Sequence, residues 1–242
     1  MVIIIPCYNE YNRLDKNAFT VFLKKNIEVK IVFSNDASSD NTLNLLKEIQ
    51  SDFKSQVFIC NSQTNRGKAE AVRHGVLYAF DQQVLFNRIG YLDADLSVSL
   101  EECLELSTQL DKKCLFVFGS RISIINNTIV RSDFRHYTGR IVATIIANLL
   151  KIKVYDTQCG CKIFDSKLAK IIFQEPFISR WLFDVELFFR IIKLYSREEL
   201  KKMSLEIPLK TWIDTGGSKV KISYFFKLWQ DLYLIKKHYS GV

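Results

Sequence analysis

Short apolar segments alternate with helix-like segments through the first 120 residues of the chain. Five segments are rich in the β-branched and aromatic residues that favour strands, and they lie at 2–5, 29–36, 56–60, 88–93 and 114–120. Between them, apolar residues recur at helical spacing at about 13–25, 38–53, 67–80 and 99–110. This strict alternation predicts an α/β fold with a doubly wound, mainly parallel sheet flanked by helices.

Polar segments follow the first four predicted strands, at the point where each strand ends. In chain order they read PCYNE, SNDASSD, NSQTNRGK and DAD. Ligands of such sheets bind at the carboxyl ends of the strands, so the four segments predict one site. Neither the glycine-rich dinucleotide fingerprint nor the Walker phosphate loop occurs there. A nucleotide at this site would therefore be held by side chains and a metal ion.

Asp93 and Asp95 stand one residue apart in the fourth polar segment. Paired carboxylates are hard oxygen ligands that suit Mg²⁺ or Mn²⁺, which complete their coordination with water and substrate phosphates. The alternative is structural: one aspartate caps the next helix and the other is a solvated loop residue. The polar loops around the pair favour the metal site.

Positive charge is concentrated in the second half of the chain. Residues 1–111 carry 11 Lys and Arg against 15 Asp and Glu, whereas residues 112–242 carry 23 against 11. A basic half suits a phosphorylated ligand, an anionic lipid surface or nucleic acid, and charge alone does not choose among them. A nucleic-acid-binding module would leave the acidic site unexplained and no RNA-binding signature occurs, so we expect no nucleic-acid partner.

The cysteines and the apolar runs bear on the cellular compartment. Six cysteines without paired C-x-x-C motifs, and no export signal, predict reduced thiols in an intracellular protein. The three histidines are too scattered to complete a zinc site with Cys159 and Cys161. The apolar run at 141–150 has ten residues, against about 20 for a membrane-spanning helix, so we expect no such helix.

Eight segments of the chain together resemble one known family. Five of them, in order and spacing, are similar to the nucleotide-sugar half of family 2 glycosyltransferases with the GT-A fold: IIIPCYNE, SNDASSDNT, NRGKAEAVRHG, YLDADLS and GSR. Three later segments are similar to the branch that glycosylates polyprenyl phosphates, in particular to dolichyl-phosphate glucosyltransferases: DTQCGCKIF, RWLFDVEL and GGSKV. The resemblance runs from Val2 to about Val220.

The resemblance implies a single domain over 1–242, with a nucleotide-sugar half at 1–120, an acceptor half at 121–220 and a C-terminal amphipathic basic helix at 221–242. It implies an inverting, metal-dependent transferase that moves a hexose, most readily glucose from UDP-glucose, onto a polyprenyl phosphate. Mg²⁺ or Mn²⁺ is implied on Asp93 and Asp95. The residues implied at the nucleotide are Pro6, Tyr8, Asn9 and Glu10 beside the base and ribose, Asp36 at the uracil or ribose, and Lys68 nearby.

The acceptor decides which further residues are needed. A lipid monophosphate has a second pKa of about 6, so its attacking oxygen is already ionised near neutral pH. Such an acceptor requires positively charged side chains that bind the phosphate, here called a clamp. Arg121, Arg131 and Arg135 are the candidates, because the arginine fork suits phosphate oxygens. The alternative is that these arginines belong to a solvated basic face.

A sugar hydroxyl acceptor would instead require a carboxylate base, as in a family 2 transferase that extends a cell-surface polysaccharide. Asp156 and Asp184 are the candidates for that base, and a structural hydrogen bond is the alternative role of Asp184. Gln158 and Lys162 are expected to line the sugar or phosphate.

Two segments, 137–153 and 224–239, combine an apolar stripe with basic residues. Either could lie in the membrane interface, although packing on the sheet as an ordinary core helix is the favoured interpretation for each. A lipid acceptor requires that at least one touches the membrane. We therefore expect a cytoplasmic protein bound peripherally to the cytoplasmic face of a membrane.

Overall fold

The computed structural model describes residues 1–82, 85–130, 133–213 and 224–241, with side chains in these ranges except at 133–138 and 224–226. Its first half alternates strands and helices as the sequence predicts. The elements are β1 (Val2–Cys7), α1 (Lys16–Lys25), β2 (Lys30–Asp36), α2 (Thr42–Asp52), β3 (Val57–Ser62), α3 (Lys68–Asp81), β4 (Arg88–Leu92), α4 (Leu100–Ser107) and β5 (Phe116–Ser120). The predicted start of α1 at residue 13 is wrong, because Asp15 caps the helix by accepting a hydrogen bond from the Ala18 N–H at 3.0 Å.

The strict alternation ends after β5. The second half contains β6 (Thr128–Val130), α5 (Asp133–Leu150), β7 (Cys161–Asp165), α6 (Ser166–Ile172), α7 (Phe183–Tyr195), α8 (Arg197–Met203), β8 (Ser204–Pro208), β9 (Thr211–Ile213) and α9 (Tyr224–His238). Strands β6 and β9 pair in parallel and form a small sheet of their own. This sheet lies beside the segment that follows β4, because the Ile213 N–H donates to the Ser97 carbonyl at 3.4 Å.

The main sheet has seven strands in the order β3-β2-β1-β4-β7-β5-β8. Neighbouring strands are parallel except that β7 runs antiparallel between β4 and β5, so the predicted mainly parallel sheet is confirmed. Leu92, the last residue of β4, pairs with Cys161, the first residue of β7. The antiparallel strand thus places the residues before Cys161 beside Asp93, which follows β4.

Helices cover both faces of the sheet, as the predicted doubly wound arrangement requires. One face packs against α3 and α5 to α9, and the other packs against α1, α2 and α4. On the first face, Phe116 stacks on Phe164 with ring centroids 4.7 Å apart and meets Phe188 edge-on at 5.3 Å. Both arrangements are preferred by aromatic quadrupoles, so this cluster joins β5, β7 and α7.

Both amphipathic segments place an apolar stripe on the core, as the favoured interpretation expects. The buried residues of these stripes are Ile146 and Leu150 on α5, and Leu228, Leu232 and Ile235 on α9. Helix α9 is also held by a hydrogen bond, in which the Ser179 hydroxyl donates to Asp231 at 2.6 Å. Within the described ranges, no helix combines the length and the apolar character that crossing a bilayer demands.

Replacing Phe116 with alanine should lower the free energy of unfolding by about 3–5 kcal/mol, because the fully buried ring leaves a cavity that its neighbours refill only in part. Urea unfolding measures the change. The control is L85A, because Leu85 is 98% exposed and its removal should change stability by no more than about 0.5 kcal/mol. Equal effects of F116A and L85A would contradict the central position of Phe116.

Candidate functional site

The loops after β1 and β2 are tied together at the carboxyl edge of the sheet. The Ser39 N–H donates to the Asn9 side-chain oxygen at 2.8 Å, and the Glu10 N–H donates to Thr42 Oγ1 at 2.8 Å. Asn9 has a φ of 51°, in the left-handed region that asparagine tolerates better than most residues. The structure therefore brings four predicted residues to this edge: Pro6, Tyr8, Asn9 and Glu10.

Asp36, at the end of β2, is buried and holds the loop that leads to Lys68. Its two oxygens accept hydrogen bonds from the N–H groups of Arg66 at 2.9 Å and Gly67 at 2.7 Å. Arg180 holds the same loop from another direction, since its Nε donates to the Arg66 carbonyl at 2.8 Å. Gly67 has a φ of 93°, and an added Cβ would lie 2.9 Å from Arg180 Nε, so glycine is required there.

Asp93 and Asp95 follow β4, and each carboxylate faces a cation. Lys68 Nζ lies 2.5 Å from Asp93 Oδ1, and Arg13 Nη2 lies 2.9 Å from Asp95 Oδ2. The two carboxylate side chains are 36% and 22% exposed, so both can reach a ligand. Burial alone would lower the pKa of Lys68, but the negative charges of Asp93 and Asp184 outweigh burial and raise it. Lys68 therefore remains a cation at the site.

Gly160 packs directly against Asp93. The Asp93 N–H donates to the Gly160 carbonyl at 3.1 Å, which joins the end of β4 to the loop before β7. A Cβ added at position 160 would overlap the Asp93 carboxylate. The loop at 156–160 therefore forms a wall of the site, and only glycine allows it to come this close.

Arg121 holds that loop through an ion pair with the buried Asp156. The guanidinium donates from Nε at 2.6 Å and from Nη2 at 2.8 Å to the two carboxylate oxygens. Burial alone would raise the pKa of Asp156, but Arg121 outweighs burial and lowers it to about 2. Glu206 on β8 supports the same loop, because its carboxylate accepts the N–H groups of Tyr155 at 2.9 Å and Asp156 at 2.7 Å.

Asp184, in the first turn of α7, lies in a buried cluster next to the site. Lys162 Nζ lies 2.5 Å from the Asp184 carboxylate and 2.7 Å from the Cys159 carbonyl oxygen, and the Tyr91 hydroxyl donates to the same carboxylate. Burial and the negative charge of Asp184 raise the pKa of Tyr91 well above its ordinary value, so the hydroxyl keeps its proton. Lys162 is fully buried, which places its ammonium group beneath the surface that it was expected to line.

The side-chain amide of Gln158 has a donor that a ligand could accept from. The Gln158 backbone N–H donates to the Asp156 carboxylate at 3.0 Å, which orients the residue on the loop. Its side-chain Nε2 is buried without a hydrogen-bond partner in the part of the chain that the structure describes. Because an unsatisfied buried donor is costly, this amide is well suited to a ligand oxygen.

The pair of carboxylates fits a divalent cation. No cluster of three His, Cys, Asp or Glu side chains suited to a metal occurs among the described residues. Mg²⁺ and its relatives often take only one or two carboxylates and complete their coordination with water and phosphates, so Asp93 and Asp95 suffice. Cys159 and Cys161 are buried free thiols, and burial raises the pKa of Cys159 to about 12, which keeps that sulfur protonated.

Two predicted arginines fall where the structure gives no side chain. Arg131 lies outside the described residues, and only the backbone of Arg135, in α5, is described. The segment GGSKV at 216–220 also lies outside them. The contact of these arginines with an acceptor phosphate stays a prediction.

Sequence reasoning missed five residues that shape the site: Arg13, Tyr91, Gly160, Arg180 and Glu206. Arg13 carried a weak signal, because it follows Glu10 by three residues. Tyr91, Gly160 and Arg180 also carried a weak signal, because each lies in a segment of the family resemblance. Glu206 carried none. The partners lie 93, 114 and 50 residues away in the chain, for Tyr91, Arg180 and Glu206 respectively.

Comparison with known proteins points to one family. The model of the family "Glycosyl transferase family 2" matches residues 2–173, well over half of the chain. The chain belongs to glycosyltransferase family 2. Dolichyl-phosphate beta-glucosyltransferases of Trichomonas vaginalis and Saccharomyces cerevisiae are 30% and 31% identical to this glycosyltransferase, over 98% of its chain and 72% and 74% of theirs.

Solved structures establish the GT-A fold of this family 2 glycosyltransferase. Glucosyl-3-phosphoglycerate synthase from Mycobacterium tuberculosis, in complex with Mn²⁺, UDP-glucose and phosphoglyceric acid, matches it with a TM-score of 0.70. The same enzyme with Mg²⁺ and UDP matches with a TM-score of 0.67. Both matches cover 100% of this chain and 79% of the other at 10% identity, so they show the fold alone.

The ion pair of Asp156 should make stability depend on pH. A carboxyl whose pKa falls from 3.8 to about 2 on folding stabilises the protein above pH 3.8 and loses this contribution as the pH falls toward 2. Urea unfolding at pH 6 and pH 3 should show that the stability difference between wild type and D156N narrows by about 1 kcal/mol at the lower pH. A difference that stays constant would contradict the ion pair.

Proposed function

We propose that this glycosyltransferase moves glucose from UDP-glucose to a polyprenyl phosphate of the dolichyl type, with inversion at the anomeric carbon. Relatives named dolichyl-phosphate beta-glucosyltransferases support the sugar and the acceptor. A structural neighbour that binds UDP-glucose with Mn²⁺ supports the donor and the metal.

The ion pairs of Asp156 and Asp184 are the observation that supports the choice of acceptor. A sugar hydroxyl needs a general base, yet each of these carboxylates is bound to a cation, Arg121 in one case and Lys162 in the other. A pKa of about 2 also makes Asp156 a weak base. A lipid phosphate needs no base, because its attacking oxygen is already ionised. The ion pairs therefore favour the phosphate over the hydroxyl of a surface polysaccharide.

The donor would occupy the carboxyl edge of β1, β2 and β4. The loop at Tyr8 and the end of β2 at Asp36 are the places for the nucleoside, and Lys68 and Gln158 are the groups for the diphosphate and sugar. A divalent cation on Asp93 and Asp95, the D-x-D motif of this chain, would stabilise the negative charge that builds on the departing UDP.

The acceptor phosphate would be held by Arg131 and Arg135. Arg121 was also a candidate for this clamp, but its guanidinium binds Asp156 at 2.6 and 2.8 Å. We assign Arg121 to the support of the 156–160 loop. The planar fork of the two remaining arginines suits the phosphate oxygens.

The proposed location is the cytoplasmic face of a membrane, with peripheral attachment. Helix α9 supports this, because its outer side exposes Trp229 by 44% and Tyr233 by 64%, next to Lys236 and Lys237. Aromatic and basic side chains on one helix suit the interface of an anionic membrane.

Transfer of radiolabel from UDP-glucose to a polyprenyl phosphate, scored as label in the organic phase, tests this function. Wild type should transfer label with Mn²⁺ or Mg²⁺, and so should the control D52N, whose aspartate is exposed on α2. D95N should be slower by a factor of about 100 or more, since metal stabilisation contributes several kcal/mol to the transition state. Label in a water-soluble polymer instead of lipid would contradict the acceptor, and undiminished transfer by D95N would contradict the metal site.

A further inference from the structure

Glu10, Arg13 and Asp95 form a row of alternating charge at the edge of the sheet. Arg13 Nη2 lies 2.9 Å from Asp95 Oδ2, and Arg13 Nη1 lies 3.6 Å from Glu10 Oε2. The backbone fixes this arrangement, because the Arg13 N–H donates to the Glu10 carbonyl at 2.9 Å. One guanidinium thus lies within reach of two carboxylates that come from different loops.

Arg13 neutralises the Asp95 carboxylate, which a divalent cation would otherwise bind. Asp95 Oδ1 accepts the Ser97 N–H at 3.1 Å, and Asp95 Oδ2 faces Arg13. Lys68 stands in the same relation to Asp93, at 2.5 Å. Two cations of the chain therefore offset the two carboxylates of the D-x-D motif before any ligand arrives.

The ion pair between Arg13 and Asp95 costs less free energy to break than the ion pairs deeper in the protein. The side chains of Arg13 and Asp95 are 27% and 22% exposed, and partly exposed pairs are weak. Lys162 and Asp184 are 0% and 6% exposed, and breaking such a buried pair is costly. Glu10 offers Arg13 an alternative partner without any backbone movement.

We propose that Arg13 couples metal binding to donor binding: it neutralises Asp95 in the donor-free protein and turns to Glu10 and the donor's diphosphate when the cation binds. This rests on the proposed function, because it requires the metal on Asp93 and Asp95. A cation that enters alone must displace the guanidinium and approach a like charge. A nucleoside diphosphate brings negative charge that can pair with both the metal ion and Arg13. Metal and nucleotide therefore bind more tightly together than apart, and each strengthens the other equally.

Mn²⁺ titration followed by electron paramagnetic resonance tests this without any turnover. R13Q should bind Mn²⁺ about tenfold more tightly than wild type in the absence of nucleotide, which corresponds to about 1.4 kcal/mol. K16Q is the control, because Lys16 pairs with Glu48 at 3.0 Å on an exposed surface, and it should match wild type. Addition of UDP should tighten Mn²⁺ binding more in wild type than in R13Q. In a D95N background, R13Q should bring no gain, because Arg13 acts through Asp95.

The outcomes separate this inference from the proposed function. Mn²⁺ affinity of R13Q that is equal to or weaker than that of wild type would overturn the role of Arg13 and leave the metal site standing. Failure of wild type to bind Mn²⁺ even with UDP would overturn the metal site and, with it, the inference. Thermal melting of R13Q beside K16Q confirms that both variants are folded when they are compared.

Discussion

The ion pair between Arg121 and the buried Asp156 holds one wall of the site, and several other contacts depend on it. It joins the residue after β5 to the loop that precedes β7. From that loop, Gly160 packs against Asp93, and the Cys159 carbonyl accepts a hydrogen bond from Lys162. Lys162 in turn neutralises Asp184. The position of the D-x-D motif thus depends on a charge pair that does not touch the expected ligands.

The charges of the site fall into two groups with different exposure. The pairs of Asp156 and Asp184 lie in the interior, where an ion without its partner is costly, so they are fixed parts of the fold. The pairs of Asp93 and Asp95 are partly exposed, so under the proposed function Lys68 and Arg13 would give way to a metal ion and a diphosphate. This division explains how one edge can be both rigid and ready for a charged ligand.

The sequence predicts the front half of the fold well, because local periodicity decides it. The strands β1 to β5 are β-branched or aromatic runs, buried except at the edge strand β3. The helices between them carry apolar stripes and capping residues such as Asp15 and Ser99. The antiparallel β7 could not be predicted, because its pairing with β4 and β5 depends on tertiary packing, which leaves no signal in the local sequence. The same limit applies to single contacts. Asp36 was predicted as a ligand of the nucleoside, yet its hold on the Arg66 and Gly67 N–H groups depends on how two loops meet in space.

Diffraction at the manganese absorption edge, from crystals grown with UDP and Mn²⁺, tests the metal site and the role of Arg13 most directly. A metal site on Asp95 predicts an anomalous peak about 2 Å from a carboxylate oxygen of that residue, beside the diphosphate, with Arg13 turned away from the carboxylate. UDP bound at the edge of the sheet with manganese at another place, or with none, would contradict it.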